Sequence, residues 1–247
     1  MAKIPEQYIL PVTVASYDVG PDNRLRLSGI LRYQQEAAEQ HLLHAGMGWN
    51  ALLDKGIAFV ASRWHARIIR LPEMGEQVTL TTWHRESRGA RFMRCYEWRD
   101  EHRNLLLVGV MQFALLSLAQ HSLLRGEDFD PEGRLPSHTE SVDCADPARY
   151  KLPETVFVRN YAVGWSDTDR NQHMNNTRYA DLICDAMADR LSGQHITDVQ
   201  MHFAGECRLG DDISLSVGES DAVYVQGGTS DGTAFTARLE LEKDDDI

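Results

Sequence analysis

The stretch from Trp165 to Tyr179 concentrates residue types that can move protons and hold a carbonyl. It reads Trp-Ser-Asp-Thr-Asp-Arg-Asn-Gln-His-Met-Asn-Asn-Thr-Arg-Tyr, and Asp169, Asn171 and His173 alternate within it. In an extended segment, alternation puts all three on one side. A carboxylate, an amide and an imidazole so placed form a hydrogen-bonded network. The carboxylate can orient the Asn or act on the His, a residue type able to pass a proton near neutral pH. A helix follows at once, capped by Asn175 or Asn176. The N–H groups near Asn176 and Thr177 then face back toward the network and can hold a substrate carbonyl or an oxyanion. The plainer reading of the same residues is an Asn-rich helix cap with a polar lead-in.

A second cluster lies in Met201 to Asp211, where Gly205-Glu206-Cys207 offers a general base beside a nucleophile. In a regular strand Glu206 and Cys207 point to opposite faces, so only one reaches a site. A bulge at Gly205 resets that phase, so alternation does not choose between them. Their plainer readings are a surface carboxylate at a strand end and a small buried thiol.

These residues need elements to position them, and the chain supplies the elements twice. Tyr17-Asp18-Val19-Gly20 is echoed by Tyr161-Ala162-Val163-Gly164, Arg32-Tyr33 by Arg178-Tyr179, and Gly75 to Leu80 by Gly210 to Leu215. The offsets are 144, 146 and 135, which means a duplicated unit rather than a solenoid. Each copy reads as a short strand, one helix and a run of strands. In copy one Ile30, Tyr33, Ala37, Ala38, His41, Leu42 and Ala45 keep helical spacing, with Ser28 as N-cap and Gly46 or Gly48 as the end. In copy two Tyr179, Leu182, Ile183, Ala186 and Met187 do the same, ending at Gly193. Strands are expected near 57–70, 76–86, 90–100 and 104–118, then near 155–163, 196–204, 211–219, 221–227 and 233–242. The organisation is 1–130 for the first unit, a Pro-rich, acidic linker over 131–153, and 154–247 for the second, ending in a frayed tail. Helix on antiparallel sheet, twice, is an α+β layout. At the offset of 146, Asn171 and His173 fall opposite Leu25 and Leu27. At 135, Glu206 and Cys207 fall opposite Leu71 and Pro72. The second copy is polar where the first is apolar.

Of the 247 residues, 43% are hydrophobic and 25% charged, which excludes wholesale disorder, and a net charge of −12 argues against a general nucleic-acid binder. The longest apolar stretch, near Leu105 to Leu118, is too short to span a membrane. Four scattered cysteines and a start without an apolar h-region give the expectation of a reducing, cytoplasmic setting. No HExxH or clustered ligand spacing occurs, so no metal or cofactor is expected.

The pattern Asp-x-Asn-x-His-x-Asn-Asn-x-x-Tyr over 169–179, followed by Glu-Cys at 206–207, resembles the acyl-acyl-carrier-protein thioesterases of plants and bacteria. Leu31 to Ala38, Ser62-Arg63-Trp64 and Gly75 to Val78 before Thr82-Trp83 extend the resemblance over roughly 8–242. It implies a double hot-dog fold and hydrolysis of a long-chain acyl thioester to a free fatty acid, as in fatty acid biosynthesis. It also implies a catalytic set of Asp169, Asn171, His173 and Glu206, with Cys207 at a position once proposed as nucleophile, and an acyl chain held in the N-terminal hot dog. The chain departs from the family's Ala-x-Ser-x-Trp strand end, where Phe113 stands for the Trp, and it lacks the Arg-Arg-Pro turn. Chain length and carrier contacts are therefore not carried over.

Glu206 is thus expected to activate water, with Cys207 as the rival nucleophile. Asn175, Asn176 and Thr177 would bind substrate at the thioester, and Ile57, Phe59, Val60, Trp64 and Met93 would line the acyl tunnel, unless they are plain core. Hydrolysis of acyl-coenzyme A by the same site and a non-catalytic acyl- or carrier-binding module are the alternatives. An acyl carrier protein is acidic, so part of the stretch 63–103, with nine arginines against six acids, is the expected docking face, tested by charge reversal at Arg88 and Arg91, unless it is a solvated strand surface with cross-strand ion pairs. A homodimer is a further expectation.

Overall fold

A computed structural model of the chain describes residues 5–244 apart from 86, 88, 121 and 127–134. Glu86 and Arg88, and the first linker residues including Pro131 and Gly133, lie outside the described residues, as does 245–247 of the tail. The first unit contains β1 (Tyr8–Thr13), α1 (Leu27–His44), α2 (Trp49–Asp54), β2 (Ile57–Ile68), β3 (Gln77–His84), β4 (Arg91–Asp100), β5 (Leu105–Ser117) and β6 (Ser122–Leu124). The second contains β7 (Val156–Ala162), α3 (Asn176–Ala186), β8 (Gln194–Phe203), β9 (Asp212–Glu219), β10 (Val223–Thr229) and β11 (Gly232–Lys243).

All strands belong to one antiparallel sheet in the order β1-β3-β4-β5-β2-β8-β11-β10-β9-β7, with β6 on β5. The units are joined where β2 pairs β8, from Arg63↔His202 to Arg67↔Asp198. Each half-sheet wraps one helix, which makes a double hot dog, and α1 and α3 pack on each other. Helix α1 buries Leu27, Ile30, Leu31, Gln34, Ala37, Ala38, His41 and Leu42, a stripe at helical spacing.

The helix ends partly depart from expectation. Ser28 lies inside α1, its Oγ buried without a partner among the described residues, and Arg26 occupies the cap position. Gly46, at φ 70°, closes α1 as its left-handed conformation requires. Asn175 caps α3, accepting from the Thr177 N–H at 3.0 Å. Helix α3 stops at Ala186 rather than near Gly193, because the Met187 N–H tightens back onto the Cys184 carbonyl and a 3-10 turn over Ala188–Arg190 follows. Helix α2 and strand β6 were not foreseen.

The described part of the linker lies along the outer face of the sheet. The His138 N–H donates to the His84 carbonyl (2.9 Å), the Trp83 Nε1–H donates to Glu140 (2.9 Å), and Cys144 packs with Trp83, Met93, Cys95 and Val110. Its acids neutralise arginines: Asp143 pairs with Arg67, and Asp146 with Arg85. Beneath it the buried His65 bridges the units, with Nδ1 on the Ala145 carbonyl and Nε2 on Asp198 of β8, both at 2.8 Å. Burial works against the charged imidazole, but the hydrogen bond to Asp198 prevails and the pKa is pushed up to about 10.

Backbone hydrogen bonds fix the register of the duplication. Arg26 N–H donates to Asp18 as Asn175 N–H does to Asp167; Leu25 N–H donates to Pro72 as Met174 N–H does to Cys207. The loop before each helix is therefore offset by 149, not 146, while the strand-end offset of 135 holds. The counterparts of Asp169, Asn171 and His173 are Gly20, Asp22 and Arg24. The Tyr-x-Val-Gly echo is not a structural equivalence, because Val163 matches Val14.

Candidate active site

The loop before α3 is a tight turn and not an extended run. Gln172 N–H donates back to the Asp169 carbonyl (2.9 Å), Asp169 N–H donates to the His173 carbonyl (2.9 Å), and Gln172 sits at φ 64°. Strand alternation therefore does not explain why Asp169, Asn171 and His173 come together; the turn does. The Asp169 carboxylate accepts from the Asn171 N–H at 2.8 Å and the Asn175 Nδ2 at 3.5 Å, so it shapes the turn backbone. Among the described residues it makes no hydrogen bond to the Asn171 side-chain amide or to the His173 ring, contrary to the expected orienting contact. One position outside the proposed set anchors the loop. Asp167, 2% exposed, accepts from the Tyr161 hydroxyl (2.7 Å), the Gly164 N–H (2.8 Å) and Arg178 Nε (2.9 Å). Burial opposes its ionisation, yet these donors hold its carboxyl below the ordinary range. The signal available in the sequence was its match to Asp18, which accepts from Arg32 and Tyr33 in the same way.

The second cluster meets the first across the end of β8. Ala204 and Gly205 N–H both donate to the Ala234 carbonyl, at 2.8 and 2.9 Å, which is a bulge. After it, Glu206 faces out and Cys207 faces in. Glu206 Oε2 lies 3.1 Å from His173 Nε2, so Glu206 is the carboxylate that touches the imidazole. Cys207 is 0% exposed within the core, and burial pushes its thiol up. A hydroxyl or carboxylate competes poorly with a thiolate as nucleophile, but a buried thiol with a raised pKa holds little thiolate.

A cavity of about 1360 Å³ begins at these residues and runs into the first unit. Asp169, Asn171, His173, Asn176, Thr177 and Glu206 line one end; Leu42, Ile57, Phe59, Val60, Phe92 and Met93 are among those lining the other. Trp64 does not reach it. The strand β2 bulges between Ala61 and Arg63, which turns Trp64 into the core, where it is 0% exposed. Asn175 lines a smaller neighbouring cleft with Arg32 and Arg178, its side chain committed to the helix cap. Thr177 N–H is committed to that same cap, so of the two N–H groups expected to face substrate, only Asn176's lacks this partner.

Comparison with known proteins gives this geometry a family. Residues 6–125 match the model of the acyl-ACP thioesterase N-terminal domain, and 150–246 that of the C-terminal domain. The chain belongs to the acyl-ACP thioesterase family. The dodecanoyl-[acyl-carrier-protein] hydrolases of Cinnamomum camphora and Umbellularia californica are each 25% identical to it over 93% of this chain. The chain spans 62% of the length of both relatives. Among solved structures, an acyl-ACP thioesterase from Bacteroides thetaiotaomicron superposes with a TM-score of 0.87 at 18% identity, covering 98% of this chain and 100% of that one. The 12:0-ACP thioesterase of Umbellularia californica superposes at 0.84 with 20% identity, covering 97% and 98%. Both share the double hot-dog fold. Within the family frame, the His173–Glu206 pair falls in the C-terminal domain match and the apolar end of the cavity in the N-terminal one.

Proposed function

We propose that this protein hydrolyses the thioester of a long-chain acyl group on acyl carrier protein and releases the free fatty acid. The observation that carries this reading is one continuous cavity, lined mainly by apolar side chains over the first-unit strands and ending on His173 and Glu206 in the second. Such a cavity suits an acyl tail with its reactive end at the polar mouth. Glu206 takes a proton from water as the water oxygen bonds to the acyl carbon. His173 and Asn171 hold that water or the thioester, and the Asn176 N–H, first of its helix, donates to the oxyanion. The C–S bond then breaks, and the leaving thiolate takes the proton back. The buried position of Cys207 favours this route over a covalent one.

The carrier is proposed to dock where the two units part. The Arg63↔His202 rung is the last of the β2–β8 pairing, and beyond it Ala61 and Phe203 both line the cavity. Of the arginines in 63–103, Arg67, Arg70, Arg85 and Arg99 are paired with carboxylates, and Arg94 is buried. Arg63 and the exposed Arg91 have no carboxylate partner among the described residues, and the charges of Arg149 and Arg91 act unfavourably on that of Arg63. This positive lip suits an acidic carrier.

The test is thiol release from carrier-linked and coenzyme A-linked acyl groups of matched length. Glu206→Gln is expected to lose activity by about 100-fold or more, and Cys207→Ala to keep it within about threefold. A Cys207→Ala enzyme without turnover but normally folded would restore the covalent route, and faster release from coenzyme A would replace the carrier.

A further inference from the structure

The cavity wall holds a charge for which the hydrolysis above has no use. Arg94 on β4 points inward, is 4% exposed and lines the cavity beside Phe92 and Tyr96. Its Nη1 lies 3.1 Å from His41 Nδ1 and 3.3 Å from Thr82 Oγ1. His41 Nε2 sits 2.9 Å from the Pro5 carbonyl, which only accepts, so Nε2 carries the ring proton and Nδ1 accepts from Arg94. The Thr82 hydroxyl donates to the Cys95 carbonyl at 2.9 Å and so also meets Arg94 as an acceptor. These two bonds use one nitrogen. Among the described residues, the three further N–H bonds of Nε and Nη2 have no acceptor and no carboxylate pairs with the guanidinium. The nearby imidazoles add no negative charge. Burial, reinforced by Arg94, lowers His41 to about 4 and His84 to about 3.

An uncompensated buried guanidinium is unfavourable, and a plain hydrocarbon packed on it would leave three donors stranded. We propose that the first-unit end of the cavity binds acyl chains carrying an oxygen acceptor on their distal part, held by the Nε/Nη2 edge of Arg94. That edge is the fork that receives a carboxylate through two parallel bonds, and it serves a hydroxyl or oxo oxygen through one. Among the other lining groups there, Phe59, Phe92 and Phe113 serve the methylene chain. The site therefore selects functionalised acyl groups within the class of substrate proposed above, and this inference rests on that reading.

The experiment compares thioesters of one small thiol whose acyl chains end in methyl, hydroxyl or carboxylate, over a ladder of lengths. Calorimetric titration of the corresponding free acids runs beside it and needs no turnover. The wild type is expected to favour an oxygenated chain by about tenfold or more in kcat/KM at one or more lengths, with the same order in affinity. The hydroxyl and carboxylate arms tell which oxygen is read. Arg94→Met is expected to bring the ratio to one or below, and Arg94→Lys, which keeps charge without the fork, to lie between. If Arg94→Met does not fold, the wild-type ratios decide alone. Methyl-ended chains that match or beat the oxygenated ones at every length, in turnover and in binding, overturn the proposal while leaving the hydrolase reading intact. Preferential binding of oxygenated acids with no hydrolysis of any thioester does the reverse.

Discussion

The two copies have the same backbone before their helices and different side chains on it. Asn23 and Gln172 both adopt positive φ, 63° and 64°, and each N–H closes the same turn, onto Gly20 and Asp169 respectively. Asp18 and Asp167 both anchor the loop to an arginine on the following helix. On this shared frame the first copy places Gly20, Asp22, Arg24 and Leu71, and the second places Asp169, Asn171, His173 and Glu206. Leu71 packs on the core, whereas Glu206 reaches His173. The turn is thus a requirement of the fold, and the chemistry is a layer laid on one copy of it. The copies also divide the cavity. The first has the longer helix, 18 residues against 11, and gives most of the chamber's apolar wall.

Substitutions across the copies sharpen this division. His173→Arg, which installs the residue of the first copy, is expected to lower kcat by about 100- to 1000-fold with little change in Tm. Arg24→His, the converse, is expected to leave kcat within twofold; a comparable loss from both would break the comparison. Anchors should behave alike where the chemistry does not. Asp167→Ala leaves Tyr161, Gly164 and Arg178 without their acceptor and is expected to cost about 3 kcal/mol in denaturant unfolding. Asp18→Ala is expected to follow at about 2 kcal/mol.

The seam between the copies has a pH signature. The pKa of His65 is raised in the folded state, so its contribution is complete below the unfolded value near 6.5 and fades as pH rises toward about 10. Stability is expected to fall by about 2–3 kcal/mol between pH 7 and 9, and His65→Gln to flatten that decline. A smaller effect is expected at the lip. Arg63→Glu with Arg91→Glu should reduce kcat/KM for a carrier-linked substrate about tenfold and weaken its salt dependence. Arg103→Glu, an exposed arginine in the β4–β5 turn, controls for net charge.

Much of this was legible in the sequence because it is periodic or local. The α1 stripe, the strand blocks, the duplication and an asparagine cap at 175 or 176 all follow from spacing and residue type. What escaped depends on register and phase. The loops are equal in length, and 146 looked like their offset because Arg32 and Arg178, three residues apart in register, reach matched aspartates from different helical turns. Bulges at Ser62 and Gly205 decided that Trp64 enters the core and that Glu206 rather than Cys207 faces the cavity, and alternation alone does not predict bulges. The Pro-rich linker looked like a wet connection. Its acids instead pair with arginines of the sheet, a long-range match that composition does not reveal.

The β2–β8 seam has a consequence for any attempt to separate the copies. Cutting the chain in the linker would bare the hydrogen-bonding edge of β2 over 63–67 and of β8 over 198–202, both flanked by apolar residues such as Trp64, Val199 and Met201. Bare strand edges of this kind recruit other strands. A lone half would thus be a seed for self-association, pairing its edge with another copy of itself, and the intact chain is in effect a capped pair whose two dangerous margins silence each other.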